Sequence, residues 1–170
     1  MLELAGLEPG RSVLDVGGGA SKLAGELVGR GIDDVTVLDL SQEALGIARD
    51  ALTDPGTVQW IAADITEWAP TRTWDVWHDR AVFHFLTESH QRDAYRAAMS
   101  QALSSTGAIA VATFAEDGPE QCSGLPVVRY SPKALLTELD LGLHELASGR
   151  ALHTTPSGGV QPFSWIVASR

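Results

Sequence analysis

The stretch Ser12-Val13-Leu14-Asp15-Val16-Gly17-Gly18-Gly19-Ala20-Ser21 constrains this chain more than any other part of it. A short apolar and β-branched run ends in an acid and three consecutive glycines, and a helical pattern opens directly behind them. Strand, glycine turn and helix in that order make a cradle, where the backbone turns sharply, approaches a ligand and is backed by free helix N–H groups. Asp15 narrows the choice of ligand. A dinucleotide site sets its pyrophosphate against the helix N-terminus, whereas a carboxylate two residues before the first glycine repels phosphate and welcomes a cation. The ligand expected is a nucleoside without phosphates that carries positive charge.

The rest of the chain alternates short apolar runs with helical patterns, the signature of an α/β sheet. Strands are expected at 12–17, 35–39, 58–64, 74–79 and 107–114. Helices are expected at 20–30, after a Ser41 cap, and at 88–104. Residues 115–130 read as a Gly- and Pro-rich loop. Ser131 then caps a short helix with Pro132 at its first position, where a missing N–H costs nothing. Two last strand-like runs, near 144–154 and 161–168, flank Thr155-Pro156-Ser157-Gly158-Gly159, which predicts a hairpin and an antiparallel end to the sheet.

A length of 170 residues suits one domain, 1–170, with a core of its own. The formal net charge of -10, with no cluster of Lys or Arg, argues against nucleic acid and anionic membrane surfaces as partners. One cysteine excludes an internal disulfide, and five histidines with no i,i+4 pair make a metal site unexpected. With no apolar run of transmembrane length and no signal peptide pattern, a cytoplasmic location is the default.

Asp15, Gly17 and Gly19 resemble motif I of the class I S-adenosylmethionine-dependent methyltransferases, acid-x-Gly-x-Gly, with Ser21 where a third glycine often stands. The resemblance runs over nearly the whole chain. The stretch from Trp77 to Leu86 and the Cys122-Ser123-Gly124-Leu125-Pro126 loop look like a small bacterial subgroup of that class. It implies a Rossmann-like, doubly wound, seven-stranded and mostly parallel sheet closed by an antiparallel C-terminal hairpin. It also implies S-adenosylmethionine as methyl donor, with S-adenosylhomocysteine as product and no metal. Relatives carry a longer N-terminal segment over the cofactor, so that cover is expected to be short or missing here.

Ligands of open α/β sheets sit beyond the carboxyl ends of the strands, where Asp15, Asp39, Asp64 and Asp79 fall. Asp39 lies 22 residues after Gly17 (39 − 17), the spacing of an acid that accepts from ribose hydroxyls. The resemblance assigns Asp64 to the adenine amino group and the backbone of Ile65 to the ring. Gly18, Leu40 and Asp79 complete the expected donor site. Methyl transfer is an in-line displacement that needs a base only when the nucleophile arrives protonated. His84 is the expected base, ahead of His78; Asp79 and Arg80 complete the expected catalytic set, either paired with each other or with Arg80 anchoring a substrate anion. Phe83, Cys122 and His153 are expected to touch the acceptor, a small molecule with a thiol or sulfide. A donor-binding module without catalysis, a protein methyltransferase and, less favoured, a nicotinamide-dependent oxidoreductase are the competing readings. Either a monomer or a homodimer fits.

Overall fold

A computed structural model describes residues 1–155 and 158–170. Its strands are β1 (Ser12–Val16), β2 (Asp34–Asp39), β3 (Val58–Ala62), β4 (Trp74–Arg80) and β5 (Leu103–Phe114), then a short pair, β6 (Gln121–Cys122) and β7 (Leu125–Pro126), and finally β8 (His144–Thr154) and β9 (Val160–Ser169). The helices are α1 (Leu23–Gly29), α2 (Gln42–Asp50), α3 (Ser89–Ala102) and α4 (Pro132–Leu139). Seven strands form one sheet in the order β3-β2-β1-β4-β5-β9-β8. β1 to β5 pair in parallel, and β9 runs antiparallel to both β5 and β8. This is the doubly wound, mostly parallel sheet with an antiparallel C-terminal hairpin that the sequence led us to expect.

Alternation within the strands makes two cores. Leu14, Val16 and Leu38 face α3 and α4 and join Trp77, Tyr95, Met99 and Leu135. Val13, Val35, Val37 and Val76 face α1 and α2 and join Ala24, Leu27 and Leu45. Central parallel strands are covered on both faces, so their sequences read as continuous apolar runs. Local caps set the helix starts. Ser41 Oγ accepts from Ala44 N at 3.1 Å, and Ser131 Oγ accepts from Ala134 N at 3.2 Å. Glu88 and Gln91 close a reciprocal capping box at α3.

At the opposite end of the sheet from the glycine turn, Asp75 ties three strand starts together. Its carboxylate accepts from Ser12 N and Oγ at 3.0 and 2.9 Å and from Ser104 Oγ at 3.2 Å. The Ser12 N–H, aided by the serine hydroxyls and by Arg11, holds that carboxyl below the usual carboxylate range.

Three boundaries differ from the sequence expectation. α1 starts at Leu23 rather than Ala20, because the glycine turn consumes the residues before it. β5 begins at Leu103, directly out of α3. The loop 115–130 contains the β6–β7 ribbon, turned by Ser123 and Gly124 at φ 52° and 79°. Positive φ at both central residues is the two-residue hairpin geometry whose twist matches antiparallel strands. The β8–β9 hairpin is as expected, with Thr155 N donating to Gly159 O at 2.8 Å. Pro156 and Ser157, central to its expected turn, lie outside the described residues.

Candidate functional site

Strand order reverses between β1 and β4, and a doubly wound sheet opens a crevice at such a point. The glycine turn sits there, and its neighbours explain each glycine. Gly17 has φ +71°, and a Cβ on it would lie 1.9 Å from Val82 Cγ2. A Cβ on Gly18 would lie 2.5 Å from Val37 Cγ1 and 2.6 Å from Asp15 Oδ2. Gly19 has φ +49° and faces Asp39 Oδ2, 3.3 Å from where a Cβ would be.

Val82 reaches Gly17 because Asp79 holds the segment beyond β4. Asp79 is fully buried, and its Oδ1 accepts from Val82 N at 2.8 Å. Its Oδ2 accepts from Phe83 N at 3.0 Å and from the Tyr95 hydroxyl at 2.6 Å. Tyr95 OH accepts in turn from Trp77 Nε1 at 2.9 Å. Burial pushes the Asp79 carboxyl up to about 6, more than these hydrogen bonds pull it down. The chain leaves β4 through Ala81 at φ 74°, a left-handed conformation that strains a non-glycine residue. Ala81 N donates to Ala112 O at 2.8 Å and fixes that conformation.

The Gly17 turn adjoins two cavities. The first, of about 480 Å³, is lined by Asp39, Leu40, Asp64, Ile65 and Phe85, with Thr66, Thr87, Gln91, Leu125 and Pro126 around them. Its two acids share one design. Asp39 Oδ1 accepts from Ser41 N at 2.8 Å, and Asp64 Oδ1 accepts from Thr66 N and Oγ1 at 2.8 and 2.7 Å. Each acid is thus oriented by its own chain through one oxygen, and no protein donor among the described residues takes the other. Leu40, 74 % exposed, and Leu125, 58 % exposed, put apolar surface on the rim.

The second cavity, of about 870 Å³, is lined by Asp15, Gly18, His78, Arg80, Cys122 and His153, with Glu26, Phe114, Gln161 and Phe163 completing its wall. Asp15 Oδ1 and His78 Nδ1 are 2.6 Å apart and both residues are buried. Arg80 lays its guanidinium 5.6 Å from the Phe163 ring centroid and forms no ion pair among the described residues. His153 meets the same ring edge-on at 6.1 Å.

Of the expected site residues, the structure brings Gly17, Gly18 and Gly19 together with Asp15, Asp39, Leu40, Asp64 and Ile65 at the crevice, and Arg80, Cys122 and His153 at the second cavity. Three do not reach either space. Asp79 is spent inside the core on the turn it holds and lines neither cavity. Phe83 is fully buried against Tyr95 and Tyr130, with ring centroids 4.9 and 5.6 Å away, and cannot touch an acceptor. His84, the expected base, is fully buried between Phe85 and Phe114. Its Nδ1 accepts from Phe114 N at 3.4 Å, leaving Nε2 with the hydrogen and no partner. Burial pushes this imidazole down to about 4, which favours its neutral form. The Asp15–His78 pair is what the sequence reading missed. Its signal lay in strand alignment, since the two residues are register partners across β1 and β4. The described residues contain no group of three or more His, Cys, Asp or Glu placed to hold a metal ion. Nor is any helix among them long and apolar enough to cross a membrane.

Comparison with known proteins gives a consistent family. A family model described as a methyltransferase domain matches residues 13–107. The ubiquinone/menaquinone biosynthesis C-methyltransferase UbiE of Ectopseudomonas mendocina (strain ymp) is 32 % identical over 124 residues, which is 69 % of this chain and 47 % of that protein. The chain therefore spans about half the length of the curated relative it matches. The N-methyltransferase NodS from Bradyrhizobium japonicum WM9, solved with S-adenosyl-l-homocysteine, superposes with a TM-score of 0.77 at 15 % identity, covering 99 % of this chain and 83 % of that one. A structure concerned with the conversion of a disulfide bond into a thioacetal group during echinomycin biosynthesis superposes at 0.76 with 22 % identity, covering 99 % and 78 %. These two superpositions establish the fold.

Two consequences are measurable. The carboxyl of Asp79 rises from 3.8 to about 6 on folding, so the unfolded chain gives up its proton first as pH rises. Stability from this group is complete below pH 4 and is lost as pH climbs toward 6 and above, by about 3 kcal/mol. In urea titrations, wild type should lose about 2 kcal/mol relative to Asp79→Asn between pH 4 and 7; a gap moving the other way would mean that burial does not dominate. Gly17→Ala should cost about 2–4 kcal/mol through the positive φ and the Val82 clash. Adding Val82→Ala should recover part of that cost, and strict additivity of the two would show that they do not touch.

Proposed function

From a chain that belongs to the methyltransferase-domain family, and to class I by its fold, we infer S-adenosylmethionine-dependent transfer of a methyl group to a small molecule that attacks through sulfur, a thiol or a sulfide. The observation that carries the donor assignment is the matched pair of acids in the first cavity. Asp39 and Asp64 each have one oxygen fixed by the backbone just beyond them and the other without a protein donor. Such a pair suits a nucleoside: Asp39 accepts from the ribose hydroxyls and rejects a 2′-phosphate, while Asp64 accepts from the adenine amino group. Leu40, Ile65 and Phe85 supply the apolar walls for the base, and the side-chain-free turn at Gly17 and Gly18 admits the chain of the ligand past β1. S-adenosylmethionine, when bound, supplies a methyl carbon activated by its sulfonium sulfur.

The second cavity supports a small acceptor. Phe114 and Phe163 give it apolar, polarisable walls, Cys122 and His153 line it, and Arg80 offers a cation with no carboxylate of its own. A fold neighbour concerned with disulfide-to-thioacetal conversion adds support for sulfur chemistry.

Calorimetric titration with S-adenosylhomocysteine, with NAD as control, tests the donor assignment. Wild type should bind the former only. Asp39→Ala should weaken that binding about 10–100-fold, the loss expected for hydrogen bonds to a charged group. Unchanged affinity in the variant would remove the ribose role of Asp39, and binding of NAD alone would overturn the reading.

A further inference from the structure

We propose that Asp15 and His78 form a general-base dyad in the second cavity, and that the acceptor is therefore a thiol. The proposal rests on the methyl-transfer reading above and deepens it. Asp15 and His78 stand opposite each other in adjacent parallel strands, with Oδ1 and Nδ1 2.6 Å apart. A carboxylate at Nδ1 holds the hydrogen on that nitrogen and leaves the basic lone pair on Nε2. The missing side chain at Gly18 makes room for the second oxygen of Asp15 beneath the glycine turn, which fixes the carboxylate behind the imidazole.

What distinguishes His78 from His84 is where the second nitrogen goes. The Nε2 of His84 is sealed in the core without a partner. The Nε2 of His78 has no hydrogen-bond partner among the described residues either, yet it is not among the sealed atoms, and its ring lines the cavity. His78 as a whole is 8 % exposed, so the opening is narrow. The charged and titratable groups lining the same space are Asp15 from β1, Lys22 and Glu26 from α1 and its entry, Arg80 from β4, Cys122 from β6 and His153 from β8. Asp15 alone among them is hydrogen-bonded to the imidazole.

A base is idle toward a sulfide, which attacks through a lone pair and has no proton to lose. A thiol is largely protonated near neutrality and is a far weaker nucleophile than its thiolate. His78 Nε2 takes the S–H proton. The sulfur electron pair forms the new S–CH₃ bond as the bond from the methyl carbon to the sulfonium sulfur breaks and its pair returns to that sulfur. The products are a neutral thioether, neutral S-adenosylhomocysteine and one proton, held on the imidazole beside Asp15 until it passes to solvent. Asp15 acts as a positioning residue, holding the tautomer and steadying the imidazolium.

The test has two arms. In ¹⁵N imidazole spectra of the ligand-free protein, His78 should carry its hydrogen on Nδ1 with Nε2 bare, and Asp15→Asn should abolish that preference. A hydrogen on Nε2 in the wild type overturns the proposal. Kinetics at saturating donor then compare 2-mercaptoethanol, protonated at neutral pH, with 4-nitrothiophenol, already ionised there. His78→Gln, whose amide can still donate to Asp15, should lower kcat about 100-fold or more for the first and leave the second within about threefold. The acidic limb of the pH profile for 2-mercaptoethanol should disappear with it, and affinity for S-adenosylhomocysteine should hold. Equal losses for both thiols, or weakened S-adenosylhomocysteine binding, would mean that His78 places a ligand instead of moving a proton. If the wild type binds S-adenosylhomocysteine but methylates neither thiol, this proposal fails and the donor reading stands; absence of that binding fails both.

Discussion

A buried carboxylate that forms no ion pair among the described residues organises the crevice. Asp79 is buried on every side and satisfied by two backbone N–H groups and a phenol. Its burial is costly, as the upward displacement of its proton affinity shows. What the fold receives is a fixed exit from β4. The hydrogen bonds to Val82 and Phe83 curl the chain over the sheet edge, push Ala81 into the left-handed region and drive Val82 onto Gly17. That contact requires the first glycine of the turn to be a glycine, and Gly17 lines both cavities. A buried polar group that is fully satisfied specifies one geometry and penalises alternatives.

The sheet and its strand ends were legible because they follow from periodicity and from glycine chemistry. Continuous apolar runs at β1, β2 and β5 report strands buried on both faces, and Ser41 and Ser131 announce their helices locally. Asp39, Asp64 and the glycines were legible as well, since their spacing is fixed by the elements that carry them. Roles that depend on side-chain direction were not. His84 and His78 are the same residue type a few positions apart, and only packing separates a core imidazole from one with a nitrogen open to a cavity. Asp79 and Phe83 shared that fate: both sit beside the crevice in sequence, and both turn into the core. The Asp15–His78 pairing depends on which residue of β4 stands opposite β1, a register that no local pattern encodes.

The four acids at the strand ends show how strongly surroundings decide chemistry. Asp39 and Asp64 are half-buried and line the first cavity, each braced through one oxygen by the backbone that follows, so each carboxylate is already oriented. Asp15 is buried against an imidazole, and Asp79 is buried against backbone. Pre-alignment spares binding the entropy of ordering these groups. With a net charge of -10, the molecule as a whole also favours approach by a cationic ligand.

The β6–β7 ribbon contributes Leu125 and Pro126 to the first cavity and Cys122 to the second. It is two residues long on each strand; Val127 N donates to Glu120 O at 3.1 Å at its own base, and Val128 N donates to His84 O at 2.8 Å, tying it to the segment beyond β4. One short element thus supplies a wall to each of two separate cavities, so a substitution that repositions it changes the shape of both.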